Sequence, residues 1–383
     1  MGDQHRAVTT GGARLALGLA ALLCMGPMAA GAGAGSAAPR VLWQLAEPAR
    51  GIPARDDVSA YFLTQDHALV AASLTSGRVR WRLPFEGASP TFGSRVIVRG
   101  DLVVAGDYDL VGVDRRTGRP RWTFAPADDG GIGMHLGGVA GDTVFGGSLA
   151  GSLHAVSLRD GRPRWTARIG HAATTTVYAP VVQGASVAAA FTDFGATPGG
   201  GVALVDAATG RARWRRLLPG SIGASGAPVF AHGVVVAASR DGTLYALDER
   251  SGAVRWTLPR LETLADEQDY RPLAVSGRTL VAGSLSGEIV AWDLVTQRER
   301  WRRTPIVASV AFDLAVKDDV VYVPYFSNQL VALRVRDGRE LWRVGGSRAQ
   351  YRWVPDVDGS LMLASGSQIL SLFRLDAASR GER

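Results

Sequence analysis

Histidine and cysteine are the residue types that most often ligate transition metals or act as nucleophiles. This 383-residue chain has six histidines and one cysteine, Cys24. The histidines lack the close spacing that zinc sites use, and the lone cysteine has no partner for a disulfide. We therefore expect no metal site. The six histidines are His5, His67, His135, His154, His171 and His232.

Two further segments resemble parts of catalytic or phosphate-binding motifs. Gly223–Ala227, with the sequence GASGA, resembles the nucleophile elbow of hydrolases. It lacks the final glycine of that motif, and a predicted strand follows it, whereas the elbow is followed by a helix. The glycine-rich residues 196–201 lack the helix that a phosphate-binding loop requires, and we expect a long hairpin turn there. The sequence therefore predicts no catalytic, cofactor-binding or metal-binding residue.

The net charge of +7 comes almost entirely from arginine, because Lys317 is the only lysine. Many arginines stand beside predicted turns, as Arg78, Arg119 and Arg211 do, and do not form one cluster. A nucleic-acid site needs basic residues gathered on one face. We therefore expect no nucleic-acid partner.

The N-terminal segment has the pattern of a secretory signal. Arg6 and Arg14 precede an apolar run from Leu15 to Met25, and small residues follow. The run is shorter than the roughly 20 residues that span a bilayer, so we expect cleavage and no transmembrane span afterwards. We interpret residues 1–40 as a signal peptide and small-residue linker, and expect an exported protein, periplasmic or extracellular.

Lipidation of Cys24 is the alternative fate of this segment. Bacterial lipoproteins carry a small residue directly before the lipidated cysteine, whereas Leu23 stands there in this chain. We therefore favour cleavage, and membrane anchoring through the N-terminal segment is the alternative.

A nine-residue motif recurs seven times and ends each time in tryptophan. In six copies a glycine stands four residues before the tryptophan, and Gln297 takes that place in the seventh. An alternating apolar run precedes each motif, which is typical of a β-hairpin. Asp or Ser at the first motif position can accept bonds from turn amides, and glycine supplies the positive φ. The motifs end at Trp81, Trp122, Trp165, Trp214, Trp256, Trp301 and Trp342.

This motif resembles the tryptophan-docking motif of the PQQ-like repeat family. The family includes quinoprotein dehydrogenases and the propeller lipoprotein of the outer-membrane barrel-assembly machinery, and the resemblance covers nearly the whole mature chain. It implies a β-propeller in which the tryptophans are structural docking residues. WD40 repeats have a similar period, but none of the seven motif tryptophans is followed by aspartate.

Counting tryptophans gives the number of blades. An eighth one, Trp43, lies in an isolated strand-like segment, 41–45, and the mean spacing from Trp43 to Trp342 is about 43 residues, the length of one four-stranded blade. The last hairpin begins at residues 369–372 but has no tryptophan of its own. We therefore predict an all-β, eight-bladed β-propeller of four-stranded antiparallel blades over residues 41–376. The N-terminal strand completes the last blade, and residues 377–383 form a tail.

Family resemblance offers two function classes. Quinoprotein alcohol dehydrogenases carry two adjacent cysteines above the quinone and need calcium ligands, whereas this chain has one cysteine and one asparagine, Asn328. We therefore expect a non-enzymatic binding scaffold of the bacterial cell envelope without a cofactor. The alternative is an oxidoreductase that uses PQQ or another ligand in the central channel.

Loops that join the outer strand of one blade to the inner strand of the next share one face with the turns between second and third strands. Loops of this kind carry function in rigid scaffolds, so we place the binding surface there. Residues 125–138, 191–201 and 259–272 depart most from the minimal repeat, and the acidic cluster in the third either docks a basic partner or is a solvated loop. We expect a monomeric ring that binds a protein or another envelope component. The candidate partner-binding residues are Tyr108, His135, Phe194, Glu262, Asp266, Tyr270, Tyr325 and Trp353.

Overall fold

The computed structural model has an all-β architecture, with 33 strands and no helix among the residues that it describes. These strands form eight separate antiparallel sheets, one per blade. The described residues are 38–85, 95–106, 109–126, 133–171, 174–196, 198–218, 223–259, 272–304, 310, 313–345, 350–377 and 379–380.

The first four blades each run from an inner strand at the ring axis to an outer strand at the rim. Blade 1 consists of β2 (Ala49–Arg55), β3 (Ser59–Thr64), β4 (Ala68–Ser73) and β5 (Val79–Pro84). Blade 2 consists of β6 (Val96–Arg99), β7 (Leu102–Gly106), β8 (Leu110–Asp114) and β9 (Pro120–Phe124). Blade 3 consists of β10 (Met134–Ala140), β11 (Thr143–Ser148), β12 (Ser152–Ser157) and β13 (Pro163–Arg168). Blade 4 consists of β14 (Thr175–Val177), β15 (Val181–Gln183), β16 (Ser186–Asp193), β17 (Gly199–Asp206) and β18 (Ala212–Leu217).

The remaining blades repeat this order, except that the outer strand of blade 8 is the first strand in chain order. Blade 5 consists of β19 (Val229–Ala231), β20 (Val234–Ala238), β21 (Leu244–Asp248) and β22 (Val254–Leu258). Blade 6 consists of β23 (Leu273–Ser276), β24 (Thr279–Gly283), β25 (Ile289–Asp293) and β26 (Glu299–Arg303). Blade 7 consists of β27 (Ala315–Lys317), β28 (Val320–Tyr325), β29 (Gln329–Arg334) and β30 (Glu340–Gly345). Blade 8 consists of β31 (Asp356–Asp358), β32 (Leu361–Ser365), β33 (Leu370–Arg374) and β1 (Arg40–Leu45).

Ring closure is achieved by β1, which pairs antiparallel with β33. Arg40 lies opposite Arg374, and Gln44 lies opposite Ser371. This pairing covers the sheet edge that blade 8 would otherwise expose. The eight-bladed propeller and its closure by the N-terminal strand are therefore confirmed.

The hydrophobic core is divided into eight clusters, each between two neighbouring blades. Between blades 5 and 6, for example, Val236, Leu280 and Trp292 are buried together. Middle strands such as β20 are apolar at every position because both of their faces are covered. Packing of blade on blade therefore stabilises the ring.

The repeated turn has the chemistry that its sequence predicts. In blade 5 the Asp248 carboxylate accepts bonds from the amides of Arg250 and Ser251, and Gly252 has φ +68°. All six motif glycines have φ between +68° and +72°, a region that residues with a side chain seldom adopt. Gln297, at the seventh position, has φ +58°.

Six tryptophans pack against the motif glycine of the next blade and not against the glycine of their own motif, namely Trp43, Trp81, Trp122, Trp165, Trp214 and Trp301. A Cβ added to any of the six glycines would lie between 2.6 and 3.0 Å from the indole that packs on it. Seven of the eight indoles donate from Nε1 to a carbonyl of the next turn, namely Trp43 to Leu74, Trp81 to Arg115, Trp122 to Leu158, Trp165 to Ala207, Trp214 to Glu249, Trp301 to Val335 and Trp342 to Ser379. The acceptor Ser379 lies in the predicted C-terminal tail.

The glycine-rich segment of blade 4 differs from the expected hairpin turn. Gly199, Gly200 and Gly201 belong to β17, and they pair with Phe191–Asp193 of the long strand β16. A Cβ at Gly200 would lie 2.6 Å from the Cα of Gly223 at the start of blade 5. The glycines therefore let two backbones approach closely within the blade interface, a role that a turn prediction missed.

The ring has two ends that differ in their connections. We call the end with the blade-to-blade loops and the turns between second and third strands the loop face. The opposite end, which carries the glycine turns and the turns between first and second strands, is the turn face. All eight inner strands begin at the loop face and run towards the turn face.

Candidate functional site

The described residues enclose a cavity of about 230 Å³ where the eight inner strands begin. Every blade contributes to its wall, so the cavity is the loop-face mouth of the central channel. Most of the wall is backbone and aliphatic or proline side chains. The polar or aromatic lining residues are Arg95, His135, Asp313, Arg352 and Trp353.

Asp313 is the acidic group of this wall. Burial raises the pKa of the Asp313 carboxyl, while the positive charge of Arg95 and a hydrogen bond from the Leu314 amide at 2.9 Å oppose that rise. A carboxyl and a guanidinium that face one small cavity can hold a polar group between them.

The structure brings two of the predicted partner-binding residues together. His135, in β10, and Trp353, just before β31, both line the channel mouth. The His135 ring lies 5.9 Å from the ring of Tyr178, measured between centroids. The channel mouth is therefore bordered by aromatic rings from blades 3, 4 and 8.

Two other predicted residues lie apart from the channel mouth. Phe194 follows β16 at the tip of the long hairpin of blade 4, and it is 48% exposed. Tyr325 packs against the core between blades 6 and 7, and burial raises its pKa to about 12. Phe194 is therefore available for contact at the loop face, whereas Tyr325 contributes mainly to blade packing.

Four predicted residues cannot be placed in the site. Tyr108, Glu262, Asp266 and Tyr270 lie outside the described residues.

Sequence reasoning missed Arg240 as a site residue. It lies in the turn between β20 and β21, and its guanidinium carbon lies 5.2 Å from the centroid of the Phe194 ring. The two residues are 46 positions apart and belong to different blades, so no local sequence pattern connects them.

The described residues contain no group of three or more histidine, cysteine or acidic side chains suited to a metal ion. They also contain no helix long and apolar enough to cross a membrane.

Comparison with known proteins gives a consistent family. A family model described as outer membrane protein assembly factor BamB matches residues 34–258, 180–303 and 262–371. BamB of Bordetella pertussis is 25% identical over 221 residues, which cover 58% of this chain and 54% of that protein. The chain thus spans about half the length of the curated relatives that it matches.

Solved structures share the fold. BamB from Moraxella catarrhalis superposes with a TM-score of 0.67 at 16% identity, covering 89% of this chain and 98% of that one. A quinohemoprotein alcohol dehydrogenase from Pseudomonas putida superposes with a TM-score of 0.66 at 13% identity, covering 88% of this chain and 76% of that one. At these identities the superpositions establish the propeller and not the activity. Because the family model covers most of the sequence and the structure has the eight blades, the chain belongs to the PQQ-like repeat β-propeller family described as outer membrane protein assembly factor BamB.

Proposed function

We propose that this protein is a non-enzymatic, exported scaffold whose loop face binds another protein of the cell envelope. The observation that carries the proposal is the match of the family model, together with similarity to proteins named as outer membrane protein assembly factors. Fold similarity over 98% of the Moraxella protein is consistent with it.

A contrast between the two faces supports the loop face as the binding surface. On the turn face, Asp114, Asp206 and Asp248 each accept bonds from turn amides and from an arginine of the same blade, so much of their hydrogen-bonding capacity is used. The loop face carries the exposed Phe194 and the channel mouth with Trp353. Partly exposed aromatic side chains are the usual anchors of protein interfaces.

An oxidoreductase with a quinone in the channel is the competing function. The cavity that the described residues enclose measures about 230 Å³, below the roughly 300–1,000 Å³ of most small-molecule sites. The sequence also lacks the paired cysteines of the quinoprotein dehydrogenases. Both observations favour the scaffold.

Export is the second part of the proposal. Arg6, Arg14 and the apolar run from Leu15 to Met25 support a secretory signal. Either cleavage or retention of this segment places the propeller outside the cytoplasm.

Affinity capture from envelope extracts tests the proposal, with the full chain tagged at its C-terminus. We expect an exported or membrane-embedded protein to co-purify in a fixed ratio to the propeller. The competing function is tested by adding PQQ and calcium to the purified protein. Alcohol-dependent dye reduction after that addition, without a co-purifying protein, would overturn the proposal.

A further inference from the structure

Arg240 is buried at the loop face, and its charge has no carboxylate partner in the part of the chain that the structure describes. It lies in the turn between β20 and β21, and only 8% of its surface is exposed. Its amide donates to the Gly223 carbonyl at 3.0 Å, which fixes the turn against the start of blade 5. The position of the side chain is therefore set by a packed part of the fold.

The guanidinium has an unused hydrogen-bonding group. Among the described residues, the buried Nε of Arg240 has no hydrogen-bond partner and no carboxylate pairs with the charge. The adjacent Asp241 makes no ion pair with it, and the Asp241 carboxylate accepts from the Thr243 amide at 2.9 Å. Burial of an unpaired charge and donor is costly.

Phe194 provides the only described aromatic contact of this guanidinium. Its ring centroid lies 5.2 Å from the guanidinium carbon, close enough for a cation–π interaction. The ring itself is 48% exposed. One side of Arg240 is thus covered by an aromatic ring whose other surface is open to a partner.

We call the surroundings of the buried Arg240 side chain, next to Phe194, the recess, and hydroxyl groups of blade 4 lie near it. Thr192 donates from Oγ1 to the Ala224 carbonyl at 2.7 Å, and the Tyr178 hydroxyl lies 3.5 Å from the same Oγ1. Tyr178 also lies beside His135 of the channel mouth. The positive charge of Arg240 opposes the rise in the pKa of Tyr178 that burial causes, so Arg240 lies near both Tyr178 and the exposed ring of Phe194.

We propose that Arg240 receives the side-chain carboxylate of a glutamate or aspartate of the partner protein, and that an apolar residue next to this acid packs on Phe194. A guanidinium binds a carboxylate through paired, charge-assisted hydrogen bonds. The bound acid supplies the countercharge and the acceptor for Nε that the described residues do not. The inference rests on the proposed function and adds the chemistry of the partner.

A side-chain carboxylate fits the geometry better than a chain terminus. Arg240 is 92% buried, and its guanidinium lies beneath a phenyl ring. A side chain reaches such a group while its backbone stays at the rim, whereas a terminal carboxylate would bring its own backbone into the recess. Backbone amides carried into the recess would need hydrogen-bond partners there.

Peptide probes and site-resolved NMR test this inference. Protein labelled with ¹⁵N-arginine is titrated with acetyl-Leu-Glu-Leu-amide, and the Nε–H resonance of Arg240, assigned by its loss in R240Q, is followed. The matched probes are acetyl-Leu-Gln-Leu-amide, acetyl-Leu-Gln-Leu with a free C-terminal carboxylate, and inorganic phosphate. We expect a saturable shift with the glutamate peptide that the neutral glutamine peptide does not produce.

Three variants define the site. Arg215 is the matched control, because its guanidinium also stacks on a phenylalanine, with 4.5 Å to the Phe191 centroid, but its Nε already donates to the Ile169 carbonyl at 3.0 Å. We expect F194A to weaken binding of the glutamate peptide and R215Q to leave it unchanged. In R240Q prepared with uniform ¹⁵N labelling, probe binding followed by the backbone signals of residues 239 and 241–243 should weaken about tenfold or more.

The outcomes separate this inference from the proposed function. An Arg240 resonance that no probe shifts, or that phosphate or the free C-terminus shifts at lower concentration than the glutamate side chain does, overturns the inference. Capture of the envelope protein that persists in R240Q also overturns the inference, provided that R240Q melts at the same temperature as the parent. That result leaves the scaffold function intact. Loss of capture in R240Q, with capture retained in R215Q, supports both.

Discussion

The indole of Trp214 lies across Gly252 of the next blade, and its Nε1 donates to the carbonyl of Glu249 at 2.9 Å. Trp214 and Gly252 come from consecutive copies of the motif. Each copy therefore presents a tryptophan to the following blade and a glycine to the preceding one. The motif joins blades to each other, which explains why it recurs around the whole ring.

Substituting Gly252 with alanine tests the contact between Trp214 and Gly252. A Cβ would lie 2.7 Å from the Trp214 ring, and the residue would keep φ +68°. We expect a loss of roughly 2–4 kcal/mol from left-handed backbone strain and overpacking together. The control is Gly233→Ala, where φ is +76° but nothing lies within 4 Å of the new Cβ, so the loss should be about 1–2 kcal/mol. Equal losses in chemical denaturation would show that the indole contact does not constrain this glycine.

Gln297 takes the glycine position in the motif turn of blade 6. It holds φ +58° with a side chain, and Trp256 of the preceding blade is the one motif tryptophan whose Nε1 finds no acceptor among the described residues. We expect Gln297→Gly to stabilise the protein by up to about 1 kcal/mol, because glycine removes the backbone strain at this position. Gln297→Ala keeps the strain and should give no gain. A lower melting temperature for the glycine variant would contradict this explanation.

Much of the architecture could be predicted from the sequence because each repeat is defined by residues that are neighbours in the chain. The turn from Asp248 to Gly252 and the hairpin around it are set by neighbouring residues, and Trp43 revealed the closing strand because it lacked a hairpin of its own. Contacts between blades could not be predicted in this way. The proximity of Arg240 to Phe194, the packing of Trp214 on Gly252 and the inclusion of Gly199–Gly201 in a strand all depend on how separate repeats stack.

Closure by β1 can be tested with a disulfide. Arg40 and Arg374 are opposite residues of the antiparallel pair and are both exposed, and opposite Cα atoms in such a pair lie about 4.5–5.5 Å apart, within disulfide range. In a background with Cys24→Ser, we expect R40C/R374C to oxidise and to gain about 2–4 kcal/mol. Deleting residues 40–45 should lower the melting temperature and cause aggregation. Cysteines that stay reduced, combined with a deletion that melts like the parent, would exclude this closure.

Asp248 should make stability dependent on acid pH. Hydrogen bonds from the Ser251 amide and hydroxyl and from Arg255 lower the pKa of its carboxyl from 3.8 to about 2. A carboxyl with a lowered pKa adds stability above its unfolded pKa, and that stability is lost as the pH falls from about 4 towards 2. We therefore expect Asp248→Asn to be less stable than the parent at neutral pH, with the difference shrinking across that window. Urea denaturation at several pH values measures it, and a difference that grows on acidification would be inconsistent with this carboxylate's role.

Photocrosslinking in living cells tests most directly whether the loop face is the binding surface. A benzoylphenylalanine is placed at Phe194 on the loop face or at Val295, a 60% exposed residue of the blade 6 motif turn on the turn face. The two sites have similar exposure and differ in the face that they occupy. We predict a discrete adduct with an envelope protein from position 194 and none from position 295. An adduct from position 295 alone, or none from position 194, would contradict the account.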